Sequence, residues 1–120
     1  MAVFVGCSSA PEGNEQALRE TITREWNAKV NKDWGVVYDL TADAYQGKMD
    51  RDLFVQKANV NVKEFSIKEV QITEPGRKAL AVVDYSHSHK GFDFKTTSRE
   101  KWVWENGGWH LDLDADLLPQ

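Results

Sequence analysis

The sequence predicts an α+β fold in which N-terminal helices pack on a curved antiparallel sheet of about four strands. Two observations lead to this prediction. Apolar residues recur every fourth position in residues 15–30, as on one face of a helix, whereas residues 64–114 alternate between apolar and polar positions, as in strands. Turn sequences separate the alternating runs, and the last of them is Asn106-Gly107-Gly108.

The first predicted helix covers residues 15–30. Its apolar stripe consists of Leu18, Ile22, Trp26 and Val30. Its opposite face, which we expect to be solvated, carries Arg19, Glu20, Arg24 and Lys29. Three segments follow: a short helix with apolar Trp34, Val37 and Tyr38, a loop over residues 41–49, and a helix over residues 51–57 with Asp50 as its N-cap.

Four strands are predicted over residues 64–73, 78–89, 92–105 and 109–114. In the first strand the apolar alternation slips by one between Ile67 and Val70, which predicts a β-bulge and a bend. The third strand is so long, at about 3.3 Å per residue, that in a small domain it must curl. A curled sheet has a concave face, and helices packed across that face are expected to leave a cone-shaped cavity.

Composition limits the classes of function. We expect one domain over residues 14–120, since a chain of 120 residues is long enough for a single core. The chain is 41% hydrophobic and carries a net charge of −4, so it resembles neither a disordered chain nor a nucleic-acid-binding protein. No apolar run of about 18 residues occurs, and no transmembrane helix is predicted.

The N-terminal segment, residues 1–13, is predicted to be a flexible tether. Within it, Phe4-Val5-Gly6-Cys7 resembles the lipobox of bacterial lipoproteins. This resemblance implies a lipid on Cys7 and an extracytoplasmic protein whose contact with the membrane is made only through that lipid. The apolar part of a signal peptide does not precede the motif, which we interpret as a shortened or misassigned start. The alternative is a cytoplasmic protein with an incidental cysteine.

The helical half followed by curved strands resembles the nuclear transport factor 2-like (NTF2-like) superfamily, over about residues 14–115. The segments that carry the resemblance are Trp34-Gly-Val-Val-Tyr38 and the closing run Trp102-Val-Trp-Glu-Asn-Gly-Gly-Trp-His-Leu111. The resemblance implies a small bacterial lipoprotein-type member. Such a protein would be non-catalytic and bind a small apolar ligand or a protein partner, with homodimerisation through the sheet face. The superfamily also leaves open an isomerase, dehydratase or cyclase, or an interaction module of a cell-envelope assembly.

Six residues are candidates for lining a pocket or an interface: Trp34, Tyr38, Asp84, Tyr85, Trp102 and Trp104. On one sheet face Trp102 and Trp104 are expected to stand with Phe92 and Phe94, and packing is the preferred interpretation of this aromatic stripe over a ligand-binding wall.

No catalytic residue, metal site or cofactor is predicted. Asp112 and Asp114 alternate with leucines and are expected to face water, whereas an inward-facing Asp84 would need a partner such as Arg99 or His110. His87 and His89 share a strand face, but we interpret them as exposed residues near a turn rather than as metal ligands.

Overall fold

The computed structural model describes residues 13–113 of the chain. Within them four helices precede an open antiparallel sheet with the strand order β1-β2-β3-β4, which confirms the predicted fold class. The helices are α1 (Glu15–Val30), α2 (Trp34–Asp39), α3 (Asp43–Gln46) and α4 (Arg51–Lys57). The strands are β1 (Asn61–Glu74), β2 (Lys78–His89), β3 (Phe92–Glu105) and β4 (Gly108–Leu111). None of the described helices is long and apolar enough to span a membrane.

Helix α1 begins and ends where the sequence predicts. The Asn14 side chain caps it by accepting a hydrogen bond of 2.8 Å from the backbone N–H of Ala17. The apolar stripe packs on the sheet, with Leu18 and Ile22 fully buried. Lys29 was expected on the solvated face but is buried. It follows Leu18 by eleven residues, which is close to three helical turns, so it lies on the same buried face as Leu18.

The segment predicted as a loop contains helix α3. Contacts with the distant β3–β4 turn hold its first residue. The backbone N–H of Asp43 donates to Glu105 Oε2 at 2.7 Å, and Asn106 Nδ2 donates to Asp43 Oδ2 at 2.8 Å. Both partners lie more than sixty positions after Asp43 in the sequence. The local sequence pattern therefore did not predict this helix.

The sheet confirms the predicted bend. The pairing register of β1 with β2 shifts between Ile67 and Glu69, where the apolar alternation slips. Strand β1 begins at Asn61, earlier than predicted. Strand β4 covers Gly108–Leu111, and its predicted end at Asp114 lies outside the described residues. Leu111 is held on its other side by the backbone of residues 40–42, through hydrogen bonds of 2.7 and 2.8 Å.

The core lies between α1 and one face of the sheet. Trp26 and Trp102, each 1% exposed, are its largest members. The aromatic side chains of β3 lie on one face of the sheet, as predicted, but the two ends of this stripe differ in solvent exposure. Trp102 is buried under α1, whereas Phe92 and Phe94 stand beyond the helix and are 69% and 47% exposed.

Candidate functional site

A cavity of about 180 Å³ lies between the last turns of α1 and the concave face of the sheet. Its lining residues come from α1, from the start of β1 and from the middle of β2 and β3: Trp26, Lys29, Val60, Val62, Tyr85, Thr96, Thr97 and Ser98. The space lies where β2 and β3 continue past the last turn of α1. Trp26, Tyr85, Val60 and Val62 supply its apolar and aromatic surface, Lys29 is its one cation, and Tyr85, Thr96 and Ser98 bear hydroxyl groups; the Thr97 side chain is turned to the opposite sheet face, toward Asp84.

A larger depression of about 490 Å³ is a weaker candidate. Glu15, Gln16, Arg19, Glu20 and Thr23 line it. All of these side chains are exposed on the outer face of α1, so the depression is a surface groove rather than an enclosed site.

Aromatic rings form one wall of the cavity. The ring of Tyr85 lies 4.8 Å from the Trp26 ring, and that of Phe65 lies 6.1 Å from it. The row continues outward along the same sheet face, from Tyr85 to His87 at 5.5 Å and from His87 to Phe94 at 5.6 Å. Rings therefore line a continuous path from the buried core to the exposed end of the β2–β3 hairpin.

Three buried charged side chains lie at the base of the site. Lys29 Nζ stands 2.9 Å from Glu25 Oε2 and 3.9 Å from Glu100 Oε2. The same ammonium group lies 3.9 Å from the centre of the Trp26 ring, close enough for a cation–π contact. Trp102 Nε1 donates to Glu100 Oε1 at 3.2 Å. Lys29 therefore joins the cavity to two carboxyl groups that are not among its lining residues.

The environment sets the charges of this cluster. Burial, together with the nearby Glu25 carboxylate, raises the pKa of Glu100 well above its usual range, although Lys29 and Trp102 act in the opposite direction. For Lys29, burial favours a lower pKa, but the attraction of Glu25 and Glu100 outweighs it and the pKa is raised. The raised pKa of Glu100 favours its neutral form, beside an ion pair in which Lys29 and Glu25 balance each other's charge.

Several buried polar atoms at the site have no hydrogen-bond partner among the described residues. The indole Nε1 of Trp26 is one of them. Both carboxylate oxygens of Glu25 are others, and the group is held instead by its ion pair with Lys29. A buried donor without a partner is costly, so Trp26 Nε1 is a natural point of attachment for a bound molecule.

Of the six aromatic and acidic candidates predicted from the sequence, Tyr85 alone lines the cavity. Trp34 and Tyr38 belong to a separate cluster of α2–α4 with Phe54. In that cluster the Tyr38 hydroxyl donates to the backbone carbonyl oxygens of Gln46 and Met49. These two side chains therefore hold the helical layer together at a distance from the cavity.

The remaining candidates serve packing or face away. Trp102 is core, and Trp104 packs edge-on against Trp109 at 5.7 Å. Asp84 lies on the opposite sheet face, where it accepts a hydrogen bond of 2.7 Å from Thr97 rather than pairing with Arg99 or His110. Asp112 is exposed. Cys7 and Asp114 lie outside the described residues.

Of the two histidines of β2, His87 takes part in the aromatic row, whereas His89 at the end of the strand is exposed. His87 Nε2 lies 3.1 Å from Thr96 Oγ1, and its ring stacks on Phe94. Among residues 13–113, no group of three or more histidine, cysteine, aspartate or glutamate side chains is placed to hold a metal ion.

The sequence interpretation missed Glu25, Lys29 and Glu100. A signal for the first two was present. Glu25 and Lys29 stand four residues apart and both continue the stripe of Leu18 and Ile22, so the helical period places a Glu–Lys pair on the buried face. Glu100 alternates with Trp102 on β3 and so shares its face, but only the packed structure shows that α1 covers that position.

Comparisons with known proteins relate the chain to a fold. No family model and no curated protein matches the sequence. A solved structure that matches is the solution structure of a SEC-C motif containing protein from Rhodopseudomonas palustris, with a TM-score of 0.63 and 13% sequence identity. The match covers 78% of this chain and 73% of that protein. At this identity the likeness concerns the fold alone.

This match corrects the family predicted from the sequence. The solved structure that resembles the chain is described by its SEC-C motif, and no NTF2-like protein was matched, so the assignment to the NTF2-like superfamily is wrong. The reason lies in the kind of pattern used. A long helix, curved strands and a Gly-Trp turn are features of α+β packing in general and are not specific to one family.

Proposed function

We propose that this domain is a binding module that takes a small, uncharged, largely apolar molecule into the cavity beside Trp26 and Tyr85. The observation that carries the proposal is an aromatic-lined cavity with an unpartnered indole N–H, next to an ammonium group whose charge is already balanced. Binding sites of this kind combine apolar walls with a few polar groups that orient the ligand.

The volume and the charges define the chemical class of ligand. A cavity of about 180 Å³ suits a molecule of one or two rings. Trp26 Nε1 and Lys29 Nζ are donors, so the ligand is expected to present to them a hydrogen-bond acceptor or, as indole does, an electron-rich ring face. A charged ligand is disfavoured, because Glu25 balances the charge of Lys29 and the raised pKa of Glu100 favours the neutral form of that carboxyl.

We do not propose a reaction. The isomerase, dehydratase and cyclase alternatives came with the family resemblance that the structural comparison contradicts. The buried carboxyl with a raised pKa, Glu100, is not among the residues that line the cavity. Of the three residues of the buried cluster, Lys29 is the one that a molecule in the cavity would contact.

Binding is tested by titrating the protein with indole and following the Trp26 Nε1–H and the Ser98 amide by NMR. Saturable shifts of both signals are expected for the wild-type protein. Ser98→Phe fills the cavity from β3 and is expected to weaken binding by about tenfold or more, since a ring then occupies the ligand space.

Ser86→Phe is the matched control. Ser86 lies on the neighbouring strand next to Tyr85, so its side chain projects from the opposite sheet face. This variant is expected to bind indole as the wild type does. Shifts that never saturate, or equal affinity in Ser98→Phe, would contradict the proposed site.

We also propose, from the sequence alone, that Cys7 carries a lipid that anchors the domain at an extracytoplasmic membrane surface. The lipobox-like Phe4-Val5-Gly6-Cys7 supports this proposal. Expression of the complete gene in a bacterial host with labelled palmitate is expected to label the protein, and Cys7→Ala to abolish the label. A label that survives Cys7→Ala, or no label in the wild type, would refute it.

A further inference from the structure

The outer edge of β3 is open over most of its length. Strand β4 pairs with residues 102–105 of β3, and in the part of the chain that the structure describes nothing pairs with residues 92–100 on that side. Such an edge is a template for another strand. It borders the cavity, because Thr96, Thr97 and Ser98 belong to both.

Hydrogen bonds at the paired end show which backbone groups face this edge. Trp104 donates its backbone N–H to Arg77 on the β2 side, whereas the Lys101 carbonyl accepts from Asp112 on the β4 side. Backbone direction alternates along an antiparallel strand, so odd-numbered residues of β3 face β4. The open edge therefore presents the N–H and C=O groups of Asp93, Lys95, Thr97 and Arg99.

Two of these four residues, Lys95 and Arg99, are basic, Thr97 is neutral, and Asp93 at the hairpin end is acidic. Lys95, Arg99 and Lys101 project from the convex face of the sheet, on the same side as Thr97. A second copy paired antiparallel about Thr97 would place Lys95 of one chain directly opposite Arg99 of the other, and like charges so placed repel. The edge favours an acidic strand instead.

The chain itself continues with an acidic sequence of this kind. From Leu111 onward the sequence alternates apolar and acidic residues: Leu111, Asp112, Leu113, Asp114, Ala115, Asp116 and Leu117. Continuing the observed register from the Trp102–Leu111 pair puts Asp114 opposite Arg99 and Asp116 opposite Thr97. The same register places Ala115 and Leu117 opposite Ser98 and Thr96, on the concave face.

The proline near the end of the chain fits this register. In the continued strand, even-numbered residues direct their N–H toward β3, as Asp112 does. Pro119 is odd-numbered, so its nitrogen would point outward, where a missing N–H costs no ladder hydrogen bond.

We propose that residues 114–118 add to the open edge of β3 as a continuation of β4, with Asp114 beside Arg99 and with Ala115 and Leu117 bordering the cavity. The occupant is a segment of the same chain, so its effective concentration at the edge is high without any partner.

Hydrogen exchange of the full chain, read by NMR, tests this pairing. The amides of Lys95, Thr97 and Arg99 are expected to exchange about tenfold or more slowly than in a chain ending at Leu113. Asp114→Arg is expected to lose most of this protection. The double variant Arg99→Asp with Asp114→Arg is expected to recover it, because the opposite charges face each other again.

Lys68→Asp, a charge reversal on β1 away from this edge, is the control and is expected to leave the three amides unchanged. Equal exchange in the full and shortened chains overturns the proposal, as does a failure of the double variant to recover protection. Protection that disappears on dilution also overturns it, because it would identify a second copy as the occupant.

Discussion

Replacing Lys29 by methionine is expected to destabilise the domain by about 3–5 kcal/mol. The substitution keeps the length and much of the shape of the side chain but removes the ammonium group that pairs with Glu25 at 2.9 Å. Glu25 is fully buried and its oxygens accept no other hydrogen bond within the described residues. The change in unfolding free energy is measured by urea denaturation at neutral pH.

Two further variants show that charge, rather than packing, causes this loss. Arg24→Met, on the same helix but exposed, is expected to change stability by less than about 0.5 kcal/mol. Adding Glu25→Gln to Lys29→Met is expected to restore part of the lost stability, because an amide is less costly to bury than an unpaired carboxylate. If Lys29→Met is as stable as the wild type, Lys29 does not neutralise the cluster.

The second large effect concerns pH and Glu100. Because the pKa of Glu100 is raised in the folded state, the folded protein keeps this proton where the unfolded chain has lost it. Its contribution to stability is complete below the unfolded value of about 4.3, and is lost as the pH rises through the raised folded pKa. Glu100→Gln mimics the protonated acid and removes this loss.

The Glu100→Gln variant is therefore expected to be more stable than the wild type at neutral pH, and about as stable below the unfolded pKa. Between the unfolded pKa and the raised folded pKa of Glu100, the difference in unfolding free energy between the variant and the wild type is expected to grow by about 1.4 kcal/mol per pH unit. Urea denaturation across the acid-to-neutral range measures it. Glu64→Gln, an exposed substitution on β1, serves as control. Parallel stability profiles for Glu100→Gln and the wild type would show that Glu100 ionises normally.

These two predictions bear on function as well as stability. A buried ion pair with a neutral acid beside it contributes little net stability compared with apolar packing. The cluster lies at the base of the cavity, and Lys29 belongs to both. This is a reason to connect the cluster with ligand binding. If indole binding weakens in Lys29→Met while Arg24→Met binds normally, the cluster and the cavity act together.

The elements with strong local signals were predicted closely. Helix α1 has a cap and an uninterrupted apolar period, and its observed bounds are those predicted. The bulge after Ile67 followed from a slip in alternation, and the long β3 strand followed from its pattern and the turn after it. Helix α3 was missed because distant contacts with Glu105 and Asn106 hold Asp43.

The sequence by itself determined the α+β class, the long first helix and the curved sheet, because apolar periodicity and turn residues act over a few neighbouring positions. Only the tertiary structure decided the site. Burial depends on which element covers a position, so Lys29 of α1 and Glu100 of β3 became a buried cluster between the helix and the sheet, while Asp84 turned to the opposite face. The same packing brought Trp26, Tyr85 and Ser98, from three separate elements, around one cavity.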